Sequence, residues 1–129
     1  MNPFERFLTN EDRLHRSILD FIKLSYPKAI VAHPPNEGRR TPFERFKAKY
    51  LGISAGLPDI MIFTPNLHGY HGLALEVKVK GNKMTAAQFK WHEQLFQCHW
   101  QCACVYDLDN AMDIINAYFN KTIVGTNSN

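Results

Sequence analysis

Residues 56–78 constrain the fold of this chain more than any other stretch. They open Gly56-Leu57-Pro58-Asp59, continue through apolar Ile60-Met61-Ile62-Phe63, cross a turn-rich segment from Thr64 to Gly72, and end Leu73-Ala74-Leu75-Glu76-Val77-Lys78. Two short runs of aliphatic and aromatic residues separated by Pro, Asn and Gly predict a β-hairpin, with strands over 60–63 and 73–79. Side chains alternate faces along a strand, so Glu76 and Lys78 point the same way, about 7 Å apart at the backbone, while Leu75 and Val77 point to the other side. Asp59 stands at the mouth of the preceding strand, where antiparallel pairing brings it beside Glu76. Two carboxylates and a lysine then converge, and close carboxylates repel unless something cationic lies between them.

A hard divalent ion answers that need most simply. Mg²⁺ takes one or two carboxylates, retains several waters and completes its shell with phosphate oxygens. A surface Glu–Lys pair of little energetic consequence is the competing account, and an E-x-K triplet is common by chance. The placement of Asp59 after proline, leading into the partner strand, favours a site.

Three segments carry a family resemblance: Gly56-Leu57-Pro58-Asp59, Leu75-Glu76-Val77-Lys78-Val79-Lys80, and Met84-Thr85-Ala86-Ala87-Gln88 followed by Trp91. Their order resembles the PD-(D/E)XK nuclease superfamily and, more narrowly, the virus-type replication-repair nuclease (VRR-NUC) domain, from about Glu11 to the last helix. The resemblance implies a restriction-endonuclease-like α/β core and one nuclease domain over 1–129, with its core at about 10–120. It implies Mg²⁺- or Mn²⁺-dependent phosphodiester hydrolysis, with Asp59, Glu76 and the backbone carbonyl of Val77 as ligands. Lys78 would position the attacking water or neutralise charge on the phosphorane. An acid early in the first helix faces the metal in this family, and Glu11 matches it, with Asp12 as rival and helix capping as the alternative role for either. The family's glutamine, here Gln88, orients a water or phosphate. Small standalone members, typically from phages, resemble homodimeric endonucleases that cut four-way DNA junctions, whose symmetry a two-fold dimer matches. Two other functions stay open: a sequence-specific restriction-type endonuclease, and a nucleic-acid-binding module with a vestigial site.

A length of 129 residues, 45% hydrophobic and 21% charged, suits a single domain of ordinary globular composition. No apolar run approaches the roughly 20 residues of a membrane span, and the start Met1-Asn2-Pro3-Phe4-Glu5-Arg6-Phe7 lacks a signal-peptide core, so an intracellular location is expected. A net charge of +3 permits a nucleic-acid partner without demanding one. Cys98, Cys102 and Cys104 lack the paired knuckles of a zinc site, which favours buried apolar cysteines over zinc.

Along the chain, Leu14, Ile18, Phe21, Ile22 and Tyr26 fall at helical spacing behind a Thr9 or Asn10 cap. Ala29 to Ala32 predicts a short strand. Arg39, Arg40, Arg45, Lys47 and Lys49 then interleave with Phe43, Phe46 and Tyr50, which suits contact with a phosphate backbone and exposed bases. A helix over 42–51 with its aromatics packed inward and its cations outward is expected there. Lys80 and Lys83 form a cationic turn, read as phosphate contacts or as a solvated loop. Thr85-Ala86-Ala87-Gln88 is a capping box, which explains Gln88 structurally and competes with its family role for one side chain. No glycine ends this helix before the strand over 101–106. Asp107 or Asp109 caps a last helix with Met112, Ile115 and Phe119 as its stripe, and 122–129 reads as a frayed tail. Phe4, Phe7, Leu8, Tyr118 and Phe119 line an interface or close the core. The sum is a mixed sheet of about four strands flanked by helices.

Overall fold

The hairpin forms where its apolar runs place it. In the computed structural model, which describes residues 2–34 and 41–119, strand β2 (Ile60–Ile62) pairs antiparallel with strand β3 (Gly72–Val77), with Ile60 opposite Leu75 and Ile62 opposite Leu73. Strand β1 (Val31–Ala32) extends the sheet beyond β2, and strand β4 (Trp100–Val105) lies parallel to β3 on the other side, giving a mixed sheet in the order β1-β2-β3-β4. A parallel pair needs a crossover, and helix α3 (Ala86–Gln97) supplies it. Helix α1 (Asn10–Ser25), helix α2 (Pro42–Tyr50) and helix α4 (Leu108–Tyr118) complete the described elements, after a single 3₁₀ turn at Pro3–Phe7.

β3 is buried along its whole length, the signature of a central strand covered on both faces. Its odd-numbered residues Leu73, Leu75 and Val77 join Ile60, Ile62 and Val105 with Ile18 and Ile22 of α1 and Ala111, Ile115 and Tyr118 of α4 to form the apolar core. The even-numbered residues, Glu76 among them, face the side on which α3 packs. The hairpin turn is tied down by Asn66, whose Oδ1 accepts from the amides of His68 and Tyr70 and whose Nδ2 donates to the carbonyl of Tyr118. The Tyr118 hydroxyl donates to the Thr64 carbonyl at 2.6 Å. Tyr118 is therefore a core residue and Phe119 packs against that core, whereas Phe4, Phe7 and Leu8 are exposed.

Several expectations are corrected. β3 stops at Val77 rather than 79, because its partner strand ends at Val105; the ladder continues for one bond only, from Lys78 N–H to the Val105 carbonyl. The stripe of α4 is Ala111, Ile115 and Tyr118, with Met112 and Phe119 only half-buried. Where a helix-ending glycine was missing after α3, His99 takes the left-handed conformation itself, at φ 64°. Histidine is among the residues that tolerate this region. The cysteines are free, with Cys98 exposed and Cys102 and Cys104 half-buried, so none is a fully buried apolar residue. The largest departure is α2: it contains no buried residue, and Phe43, Phe46 and Tyr50 point into solvent instead of inward. The tail over 122–129 lies outside the described residues.

Candidate active site

Asp59 and Glu76 meet because the hairpin register puts them on facing positions one step beyond the Ile60–Leu75 pair. Pro58 is buried, and Asp59 is 8% exposed. Asp59 Oδ2 accepts the Val77 N–H at 2.8 Å, which fastens the end of β3 to the start of β2 through a charged acceptor. Glu76 is 1% exposed. Its Oε2 accepts from Gln88 Nε2 at 3.0 Å, while its Oε1 has no hydrogen-bond partner and lies 3.6 Å from Nε2 of His92, an atom that is also buried and unpartnered. Burial, then Asp59, push the Glu76 carboxyl up to about 9, against an opposing influence from Lys78. The same burial holds His92 below its ordinary value.

Gln88 closes its capping box and still reaches Glu76 on β3. Its Oε1 accepts the Thr85 N–H at 2.8 Å, closing the capping box, while the other end of the amide donates to Glu76. An amide carries acceptor and donor on separate atoms, so the two roles do not compete. His92 lies one helical turn further on the same face of α3, and this i, i+4 spacing is the signal by which the sequence could have disclosed it.

Capping distinguishes Asp12 from Glu11. The Asp12 side chain accepts the Thr9 N–H at 2.8 Å and Thr9 Oγ1 accepts the Asp12 N–H, so Asp12 completes the box that starts α1. Glu11 instead faces Asp59 and Lys78; burial raises its pKa, Lys78 offsets part of that rise, and Asp59 adds to it. A cleft of about 300 Å³ opens here, lined by Leu8, Glu11, Asp12, His15, His33 and Asp59. His33 was not singled out from the sequence: its Nδ1 lies 2.7 Å from the Asp59 carbonyl oxygen, and since a carbonyl only accepts, Nδ1 is the donor. The His15 ring meets it edge-on at 4.3 Å between centroids, and burial, then His33, lower the His15 pKa.

Lys78 is half-buried, directly after β3, and its charge acts on both Glu11 and Glu76. Lys80 is exposed on the turn that Gly81 closes at φ 96°, and exposed Lys83 follows that turn. Arg45, Lys47 and Lys49 are exposed on α2, and Arg39 and Arg40 lie outside the described residues. Among the described residues, no three His, Cys, Asp or Glu side chains already converge as a ready-made metal cage. The donor set nevertheless suits a hard ion that needs few protein ligands: two adjacent carboxyls, a third at the cleft, and an orphaned buried oxygen on Glu76. Among the described residues, no helix is long and apolar enough to cross a membrane.

The comparisons with known proteins agree with this architecture. No curated protein matches the chain. A solved structure described as a VRR-NUC domain protein superposes with a TM-score of 0.67 at 26% identity, over 88% of this chain and 90% of that one. The sequence profile of the VRR-NUC domain matches residues 6–106, a span that holds α1, the hairpin with Asp59, Glu76 and Lys78, Gln88 on α3, and β4. With most of its length inside that match, the chain belongs to the VRR-NUC family, a family of nucleases whose substrate is DNA.

Proposed function

We propose that this chain is a Mg²⁺- or Mn²⁺-dependent endodeoxyribonuclease, a single nuclease domain that acts as a homodimer on branched DNA, four-way junctions above all. The observation that carries the reading is Glu76: a carboxyl buried beside Asp59, with one oxygen lacking a hydrogen-bond partner, resists ionisation in the free protein, and a divalent cation at this corner would favour its ionised form. Asp59, Glu76 and the Val77 carbonyl would hold the ion, with Glu11 at the cleft side for a second ion or an ordered water. When bound, the ion supplies Lewis acidity toward the scissile phosphate and a nucleophile at neutral pH.

The protein's own groups do the rest. Gln88 fixes the plane of the Glu76 carboxyl through its donated hydrogen bond and is itself fixed by Thr85. The Val77 N–H holds Asp59 in place. Lys78 orients the attacking water and offsets the charge that grows on the phosphorane. Lys80 and Lys83, with Arg39, Arg40, Arg45, Lys47 and Lys49, draw in the phosphate backbone that the carboxylates alone would repel. A preference for branch structure over base sequence is supported by the hairpin segment, which is folded back onto α4 through Asn66 and Tyr118 and so offers no free arm for groove readout.

The test is cleavage of a labelled immobile four-way junction beside matched duplex and single strand, with Mg²⁺, Mn²⁺ or EDTA, using wild type, Asp59→Ala and Lys78→Met. Metal-dependent paired cuts in the junction, lost in both variants while binding persists, are expected. Equal cutting of all three DNAs removes the branch preference. No cutting with either ion removes the hydrolase reading.

A further inference from the structure

Among the described residues, helix α2 packs on no other helix or strand to any substantial extent, yet it carries three exposed aromatic rings. Phe43, Phe46 and Tyr50 stand at i, i+3 and i+7, on one face, and are 68%, 64% and 80% exposed. The Phe46 and Tyr50 rings lie 6.1 Å apart with their planes only 28° from parallel. Helical spacing puts Lys47 beside Phe43 and Tyr50 on this face and Lys49 on its flank, with Arg45 on the far side. The one acid of the helix, Glu44, is folded back into the capping box with Thr41 and takes no part in that face. A solvent-facing row of rings is costly in water, so something covers it in use.

We propose that this face is a stacking platform for the unpaired bases of a DNA strand, so that the branched substrate exposes unpaired bases at or beside its branch point, next to the scissile bond. The proposal rests on the nuclease reading above and names the DNA structure that it takes. Bases offer flat π-faces that match aromatic rings whatever the sequence, and the phosphates between them match cations interleaved at helical spacing. A second copy of this chain fits less well: a two-fold contact centred on α2 would set Lys47 and its neighbouring cations against their own copies. The platform also lies close to the chemistry along the chain. Eight residues lie between Tyr50 and Asp59, a reach of at most about 30 Å over the connecting backbone. That connection is anchored where Trp91 Nε1 donates to the Ala55 carbonyl at 3.0 Å.

The experiment measures binding of the full chain in EDTA, where no ion-dependent cutting intervenes, to a labelled oligothymidylate, a blunt duplex and a splayed-arm fork. Phe46→Leu, Tyr50→Leu and the double substitution keep apolar bulk but remove the rings, and their exposed positions leave the fold intact by circular dichroism. The double variant is expected to lose about tenfold or more in affinity for the oligothymidylate and the fork, and less than about twofold for the duplex, with an unchanged salt slope. Lys47→Gln should weaken all three DNAs and lower the salt slope by about 1. In the wild type, photocrosslinks from 5-iodouracil in the single strand should map to Phe43, Phe46 or Tyr50. Equal losses on every DNA, no loss on any, crosslinks confined to other segments, or a wild-type dimer that the double variant converts to monomer would each overturn the platform. Ring-dependent binding by a protein that cuts nothing with Mg²⁺ or Mn²⁺ would uphold the platform and end the hydrolase reading; ring-independent binding by an active nuclease would do the opposite.

Discussion

Replacing Glu76 by Gln should make the metal-free protein more stable, and by an amount that grows with pH. The carboxyl is raised from 4.5 to about 9 by burial and by Asp59. A group with a raised folded pKa stabilises the fold fully below its unfolded value and loses that contribution as pH climbs to the folded one, at about 1.4 kcal/mol per pH unit between them. Half-buried His15 and buried His92 act with the opposite sign: held below 6.5, they cost stability as pH falls beneath that value and are silent above it. Cys102, raised from 9.0 to about 11, titrates above the range that matters. From about pH 7 to about pH 9, Glu76 therefore dominates, and the wild type should lose about 2–3 kcal/mol relative to Glu76→Gln, or about 10 °C in Tm for a domain of this size. Urea unfolding in EDTA at several pH values, followed by tryptophan fluorescence, reads the difference directly. Saturating Mg²⁺ or Mn²⁺ should restore the wild type and do less for the variant, since an ion that binds the folded state stabilises it by mass action. Parallel stability curves for the two proteins across that window would refute the claim that Glu76 is buried without a compensating cation.

Gly56→Ala should cost about 2–4 kcal/mol in urea unfolding, because Gly56 sits at φ 84° and an added Cβ would lie 2.6 Å from the carbonyl carbon of Ala87, backbone that cannot step aside; an unchanged midpoint would contradict the contact. Gln88→Glu keeps the capping oxygen but replaces the donor to Glu76 by a carboxylate, so a loss of about 1–3 kcal/mol that grows as pH climbs from neutral toward about 9, where Glu76 ionises, is expected, and a pH-independent loss would argue against the Glu76 contact. Ile115→Ala, at a fully buried core position on α4, should cost about 2–5 kcal/mol by the same assay while leaving the folded protein's metal dependence unaltered.

Much of the fold was legible in the chain because the forces that set it are local. Alternation placed the hairpin, helical spacing placed Ile18 and Ile22 on the inner face of α1, and the capping box at Thr85 closes between residues three apart. The facing of Asp59 and Glu76 followed from strand pairing, since the register of a hairpin with one buried face leaves little freedom. The left-handed His99 was less visible: a non-glycine stop gives no compositional signal, although a stop was needed there.

Sequence by itself determined the four-stranded mixed sheet, its flanking helices and the residues brought to one corner, because periodicity and near-neighbour hydrogen bonds are written in consecutive residues. The tertiary structure alone decided which of those residues act together. Asp12 closes the cap of α1 while Glu11 faces Asp59 and Lys78; Gln88 divides its two ends between helix and carboxyl; His33 joins Asp59 from a segment far away in the chain. It also left the aromatics of α2 in water, against the inward packing that their spacing suggested. Burial depends on what lies opposite a face, and a helix pattern records which residues share a face but not whether anything in the fold comes to meet it.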